Sequence, residues 1–486
     1  MKKFSGKIVA LLMVLSLVIG GAAGSFVVYS LTKSNEQTTA PAVETGSAAA
    51  DQETAKIKAI HDLIEKDYFQ KVDSSKLYDG AIKGMISALG DPFSSYMNAK
   101  NATAFTESLS SSFQGIGAEV QMVGNRVSVV SPIKGSPAEK AGIRPNDQIV
   151  SIDGKTTEGL DINEAVSRIR GKKGTVVKLG IRRPGTDNEL SFSIKRDDIP
   201  LRTVDSRMIR QSGSQIGYIA ITQFNEKTDQ EFADALTSLE KQKLQGLIVD
   251  VRGNPGGYLQ AVEKIANLIV PNQKPIVQIE DRQGKRQPFY STSNKKKNYP
   301  IVGLIDGGSA SASEILAGAL KQAGGYRLVG EKSFGKGTVQ QGIQLSDKSE
   351  LKLTTNKWLT PDGDWIHKKG VQPTIQVKQP DYFYAAPLVL KKDQVLKPDQ
   401  TSSHIADAQK MLKAAGFDPK RADGYFSRET TRAVSAFQKD VSLPVTGNID
   451  QKTAEALQAA TLKAIASPKN DRQLSAAVQE VLKEIK

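Results

Sequence analysis

Apolar residues recur at helical spacing early in the chain, at Ile57, Ile60, Leu63 and Ile64 and, after a short break, at Leu77, Ile82, Met85 and Leu89. A matching stripe, Leu474, Val478, Val481, Leu482 and Ile485, closes it. Between them, Ile315, Leu316, Ala319, Leu320 and Ala323 predict a helix that begins near residues 310 to 313 and stops at Gly324-Gly325. Ahead of all of these, Lys2, Lys3 and Lys7 precede an apolar stretch from Ile8 to Tyr29. That stretch is about 22 residues, or roughly 33 Å as a helix, against a hydrocarbon core near 30 Å. The cations before it place the N-terminus in the cytoplasm and export the rest. We read an uncleaved membrane anchor within residues 1–32; the alternative is a signal peptide cut near Gly20-Gly21-Ala22-Ala23-Gly24-Ser25, which would release the protein. Residues 33–53 are polar, lack apolar periodicity and read as a flexible tether.

The predicted helix beginning near residues 310 to 313 carries the chemistry. Gly307-Gly308-Ser309-Ala310-Ser311-Ala312-Ser313-Glu314 puts serines on its first turn, and Gly335-Lys336-Gly337-Thr338-Val339-Gln340 follows. A serine hydroxyl attacks a carbonyl only when a base takes its proton, and a lysine serves only when burial keeps it neutral. Bringing a lysine from about 10.4 to roughly 7 to 8 costs on the order of 4 kcal/mol. Lys336 lies between Leu328-Val329 and Val339 on a segment reading as a strand. Gln340, four residues on, would then share its face and hold the amine in line. A nucleophile at the helix start would have the Ala312 amide and the helix dipole aimed at a developing oxyanion. Position alone does not choose among Ser309, Ser311 and Ser313. Gly330 to Lys336 also mimics a phosphate-binding loop, but Gly337 stands where magnesium needs Ser or Thr.

The runs Ser309 to Ile315 and Phe334 to Gln340 resemble the signature of the carboxyl-terminal processing peptidases, also called tail-specific proteases. The resemblance implies Ser311 as nucleophile, Lys336 as base and Gln340 as third member. Asp250-Val251-Arg252-Gly253-Asn254-Pro255-Gly256-Gly257 is similar to the family turn that supplies the second oxyanion donor. We assign that donor to Gly257, with Gly256 as the alternative, beside Ala312. Gly90-Asp91-Pro92-Phe93-Ser94-Ser95-Tyr96-Met97 resembles a further family segment. The implied fold is an α/β protease core with ClpP/crotonase-like β-α layers.

Within residues 100–196, Gln114-Gly115-Ile116-Gly117-Ala118 resembles the carboxylate-binding loop of PDZ domains. Ala138 to Gly142 and Asn146 to Gly154 resemble their helix, turn and strand. Such a loop cradles a peptide's terminal carboxylate while the peptide adds as a strand; Gly115, Ile116, Gly117 and Ala118 are the expected contacts. Arg168 and Arg170 are expected to link PDZ position to the catalytic segment. Residues 402–460 resemble a small helical peptidoglycan-binding domain, in Ala408-Gln409-Lys410-Met411-Leu412, Asp423-Gly424-Tyr425-Phe426 and Thr446-Gly447-Asn448-Ile449-Asp450. The expected order is therefore anchor, tether, N-terminal helices (54–99), inserted PDZ domain, protease core (197–378), linker (379–401), peptidoglycan-binding-like domain and C-terminal helix (461–486). The two terminal amphipathic regions are expected to cooperate in a homodimer.

Composition removes other classes. The chain of 486 residues has no cysteine, which excludes disulfides and thiol nucleophiles. His61, His367 and His404 fall in no metal-ligand spacing, so neither a Ser-His-Asp triad nor a metal centre is expected, and no cofactor is implied. His61 in its helix and His367 in an expected Trp365-Ile366-His367 strand read as structural. The net charge of +14 is dispersed apart from Lys295-Lys296-Lys297, and no nucleic-acid motif accompanies it; anionic envelope polymers or lipid fit better. The expected activity is endoproteolysis of a protein bearing a free C-terminus, as limited processing of an envelope signalling protein. That setting follows from resemblance to processing peptidases of sporulating Gram-positive bacteria. Degradation of tagged chains, or an idle PDZ scaffold at the cell wall, are the rival readings.

Overall fold

The computed structural model describes residues 48–123, 126–184, 188–391 and 393–485. The expected anchor and the tether through residue 47 lie outside the described residues. Among the described residues no helix is long and apolar enough to cross a membrane. The chain falls into two units, one ending at Ala88 and the other starting at Leu89.

In the first unit, helix Ala48–Asp67 takes in the end of the expected tether and is followed by Ser74–Ser87, whose start Asp73 caps by accepting from the Ser75 N–H. His61 lies 2.6 Å from the Ser74 hydroxyl and stacks on Tyr78, a structural role as expected. Ile57, Ile60 and Leu63 of the predicted stripe stay exposed.

The second unit is built on a six-stranded sheet ordered Val204–Gln211, Ser214–Ile221, Gly246–Asp250, Ile301–Ile305, Arg327–Gly330, Ile375–Gln376. Only the first pairing is antiparallel. Strands Gly246–Asp250 and Ile301–Ile305 are buried at every position, as parallel strands covered on both faces must be. Helices Thr228–Lys241, Leu259–Ile269 and Ala312–Gly318 cover one face. The other face is covered by the C-terminal helix Arg472–Ile485, where Leu474, Val478, Val481 and Leu482 pack on Ile216, Ile248, Val302 and Val329. This corrects the dimer expectation for that stripe: its apolar side chains are spent inside the protomer. Arg252 fastens the helix, bonding Asp250 and Asp471 at 2.6 and 2.8 Å.

A second sheet centres on Glu350–Leu359, which pairs with Ser95–Met97, Pro275–Glu280 and Thr338–Gln344. The strand Ser95–Met97, at the end of the expected N-terminal helical region, thus adds to this sheet. The PDZ sheet runs Ala118–Val123, Arg126–Pro132, Gln148–Ile152, Val176–Arg182, Leu190–Lys195, with Ala118–Val123 at its edge. Toward the C-terminus, helices Ser403–Ala414, Arg428–Asp440 and Gln451–Ala466 are capped by Ser402, Ser427 and Asp450. The expected linker 379–401 is partly core: Leu388, Leu390 and Leu396 pack with Ile405, Leu412, Phe426 and Phe437.

Candidate active site

Strands Gly246–Asp250 and Ile301–Ile305 are parallel neighbours, so the loops leaving their carboxyl ends lie side by side, the usual place for a site in such a sheet. The two loops are stitched together. The Asn254 carbonyl accepts from the Ala310 N–H at 3.0 Å and the Ser313 hydroxyl at 2.8 Å, and Asp306 accepts from the Gly253 N–H at 2.8 Å.

These bonds separate the three serines. Ser309 and Ser313 are wholly buried, and their hydroxyls donate to the Val251 and Asn254 carbonyls, both at 2.8 Å. Ser311 is only partly buried, and its hydroxyl donates to no acceptor among the described residues. It is the N-cap of helix Ala312–Gly318 with φ 55° and ψ −114°, a conformation unfavourable for any residue but glycine. The surroundings impose it, and the side chain is aimed where an ordinary helix start would not aim it.

Gly256 presses against this turn at φ 107°, and Gly257, at φ 144°, presses against the Phe224 backbone. A Cβ on Gly256 would lie 2.9 Å from the Ser311 Cβ, and one on Gly257 would lie 1.9 Å from the Phe224 carbonyl oxygen, so only glycine fits either place. The Gly256 N–H is spent on the Asn254 side chain at 2.8 Å. Among the described residues, neither the Gly257 nor the Ala312 N–H has an acceptor.

Lys336 is joined to Ser311 through Glu314, which sequence reasoning missed. This carboxylate is wholly buried and accepts four hydrogen bonds. Oε2 takes the Ser311 and Lys336 N–H groups at 2.9 and 2.8 Å; Oε1 takes the Ser333 hydroxyl and the Gly335 N–H at 2.5 and 2.7 Å. One oxygen thus holds both backbones. The Lys336 side chain is largely buried, its Nζ 5.1 Å from the centre of the Phe93 ring, and the Trp358 indole donates to its carbonyl at 2.8 Å. Burial, and then the nearby Lys352 ammonium, lower its pKa to about 8, against opposing pulls from Asp91 and Glu314. No hydrogen bond joins Lys336 Nζ to Ser311 Oγ among the described residues.

The strand begins only at Thr338, and a bulge falls between Val339 and Gln340. Lys336 therefore precedes the strand and the even-spacing argument for Gln340 does not hold. The Gln340 amide donates to the Thr338 and Thr354 hydroxyls at 3.0 and 3.1 Å. Trp365-Ile366-His367, expected as a strand, is loop; His367 stacks on Trp365 and meets the Phe93 ring edge-on.

In the PDZ domain, Gly115 ends strand Ser112–Gly115 and Gly117 turns at φ 75° into the edge strand beginning at Ala118. Among the described residues the Ile116 and Gly117 N–H groups have no acceptor, and helix Ile162–Ile169 packs beside the edge strand. Arg168 pairs with Glu164 at 2.7 Å, and Arg170 stacks on Phe113 at 4.7 Å. Buried Arg196 binds the Ile169 and Arg168 carbonyls at 2.8 and 3.1 Å, closing the end of that helix. Among the described residues no group of three or more His, Asp or Glu side chains is placed to hold a metal.

Residues 215–377 match the model of peptidase family S41, 128–183 a PDZ domain, 401–457 a putative peptidoglycan binding domain, and 17–101 the N-terminal domain of the activating protease CtpB. The chain is 50% identical over 477 residues to the carboxy-terminal processing protease CtpB of Bacillus subtilis, covering 98% of this chain and 99% of that one. It is 43% identical to CtpA of the same organism, covering 90% and 92%. A probable CtpA-like serine protease of Staphylococcus aureus is 37% identical over 82% of this chain and 79% of its own. With this coverage, and with a partly buried serine hydroxyl and a lysine of lowered pKa tied to one carboxylate, the chain belongs to peptidase family S41, as a PDZ-containing serine peptidase of the carboxy-terminal processing type.

Proposed function

We propose that Ser311 is the nucleophile and Lys336 its general base. The neutral Lys336 amine takes the Ser311 proton as Oγ attacks the peptide carbonyl. The oxyanion is received by the Gly257 and Ala312 N–H groups. Collapse breaks the C–N bond, and the leaving amine takes a proton from the Lys336 ammonium. The neutral Lys336 amine then takes a proton from water as it attacks the acyl-enzyme and returns that proton to the departing Ser311 Oγ. Gly257 is preferred to Gly256 as donor because the Gly256 N–H is already engaged by Asn254. In this reading the side chains stand in a resting arrangement: Nζ lies on Phe93 and must turn toward Ser311, and the Gln340 carbonyl oxygen then accepts from the ammonium. The observation that carries the proposal is Glu314, whose one oxygen fixes both Ser311 and Lys336.

The PDZ domain, in this reading, holds the substrate's C-terminal carboxylate on Gly115 to Ala118 while the tail pairs with the open edge strand. Arg168, on the helix beside that groove, and Arg170, just past its end, transmit occupancy toward the catalytic segment. The protein acts from a membrane anchor outside the cytoplasm, as a homodimer joined through the exposed stripe of Ile57, Ile60 and Leu63. Its substrate is an envelope signalling protein, cut once, in a sporulating cell. Its C-terminal domain contacts peptidoglycan.

The test uses the full chain in mild detergent with an unstructured protein ending in apolar residues, beside the same protein with an amidated C-terminus. Mass spectrometry should show one dominant cut of the free-tailed substrate and at least about tenfold slower cutting of the amidated one, for loss of a charge-assisted contact. Equal rates would remove the tail-recognition claim, and a ladder of small peptides would favour degradation over processing.

A further inference from the structure

A cleft of about 760 Å3 opens between the helical C-terminal domain and the segments that lead out of the protease core and back to it. None of the residues named for peptide-bond chemistry lines it. Six cations do: Lys410, Lys413, Lys420, Arg421, Lys469 and Arg472. Only two carboxylates, Asp381 and Asp418, face them across the lining.

The cations fall into two sets. Lys410, Lys420 and Arg421 each bond a carboxylate within three residues of themselves: Asp407, Asp418 and Asp423. Each of these three cations is largely offset by the carboxylate beside it. Lys413, Lys469 and Arg472 form no ion pair among the described residues, and all three are exposed. Arg472 stands at the start of helix Arg472–Ile485, where a cation opposes the helix dipole, while the neighbouring Asp471 is taken by Arg252. Its backbone is held by the Gln379 side chain at 3.0 Å, so its place at the cleft is fixed.

The lining also sets the class of ligand. Ligand pockets usually reach such volumes with mainly apolar walls; here Tyr382 is the one aromatic lining residue, which offers little stacking surface to a neutral glycan. A concave surface with an excess of cations, two of them arginines, suits a chain of closely spaced phosphates, which arginine binds through two parallel bonds and lysine as a point charge. We propose that this cleft binds a phosphate-bearing polyanion and so docks the peptidase on an anionic phosphate polymer independently of the PDZ groove.

Binding of sodium polyphosphate to the full chain in detergent, followed by calorimetry across a salt series, tests this. Inorganic orthophosphate, anionic phosphatidylglycerol vesicles and peptidoglycan stripped of phosphate polymers serve as separate arms. Polyphosphate should bind, and combining Lys413→Ala, Lys469→Ala and Arg472→Ala should weaken it at least about tenfold at roughly 0.1 M salt. The same change should lower the slope of log K against log salt by about 2, since each lost contact to a flexible polyanion removes about 0.7. Lys469→Ala alone, on an exposed short helix, should lower the slope by about 0.7 and guards against misfolding of the triple variant. Removing three exposed lysines elsewhere, Lys241, Lys285 and Lys295, should change affinity less than about twofold. Equal weakening by both triples, no binding of polyphosphate, or a larger loss of binding to stripped peptidoglycan or to vesicles than to polyphosphate when Lys413, Lys469 and Arg472 are replaced would each overturn the proposal.

Discussion

Glu314→Gln is the substitution that probes the site most searchingly, because it keeps the shape of the buried side chain and changes only its bonding. The carboxylate accepts two donors on each oxygen: the Ser311 and Lys336 N–H groups on Oε2, and the Ser333 hydroxyl and Gly335 N–H on Oε1. A glutamine must turn its NH2 toward one of these pairs. If it faces the Oε2 pair, two backbone N–H groups lose their acceptor. If it faces the other, the Gly335 N–H loses its partner and the Ser333 hydroxyl must reverse, although it already accepts from the Val371 N–H at 2.6 Å. An unsatisfied buried donor costs about 1–3 kcal/mol, so one or two of them, with a charge-assisted bond lost, come to about 2–5 kcal/mol. In a domain of this size that is about 5–15 °C in Tm.

The same change acts on Lys336. Its amine must be neutral to serve as base, so activity should rise with pH around the folded pKa of about 8. Glu314 favours the ammonium; removing its charge lowers the lysine pKa further and moves the midpoint to lower pH. Calorimetric unfolding and a pH profile of kcat/KM for a peptide substrate read the two effects separately. An unchanged Tm together with an unchanged midpoint would refute the assignment of Glu314 as the link between serine and lysine.

Lys352→Met should move that midpoint upward, since the Lys352 ammonium disfavours a second cation at Lys336; the same pH profile checks it. Burial pushes Glu263 up to about 7, so the folded state binds its proton more tightly than the unfolded chain, and the resulting penalty grows between pH 4.5 and 7 and persists above. Glu263→Gln should therefore stabilise the protein by up to about 3 kcal/mol at pH 8 and by almost nothing at pH 4, read by urea unfolding. Arg252→Met leaves Asp250 and Asp471 facing each other without their shared cation and should cost about 3–5 kcal/mol, with hydrogen exchange rising along Arg472–Ile485.

The parts of this molecule legible in its sequence are those set by local pattern. The helix after Ser311 begins and ends where its apolar spacing and Gly324-Gly325 put it, and Glu314 stands at the third helical position, where a capping box is expected. That Glu314 also reaches Ser333, Gly335 and Lys336 is a tertiary fact, carried by the pairing of strands Ile301–Ile305 and Arg327–Gly330. Strand parity failed for Gln340 because the strand begins only at Thr338 and leaves Lys336 outside it, a boundary that sequence spacing does not mark. The stripe at Leu474 to Ile485 was legible as a buried face, but periodicity does not say what buries it; a second chain and the protein's own sheet present the same apolar requirement. Leu388, Leu390 and Leu396 were missed as core because they lie in irregular chain, where burial has no period to reveal it.

Roles for Ser311 and Lys336 can be read by treating the protein, bound to a tail peptide, with a serine-reactive fluorophosphonate and locating the adduct by mass spectrometry across a pH series. Modification is expected at Ser311 alone, rising with pH around 8 and reduced at least about a hundredfold by Lys336→Ala, as follows from loss of a general base. Labelling at Ser309 or Ser313, or labelling of Ser311 that is indifferent to Lys336, would contradict those roles.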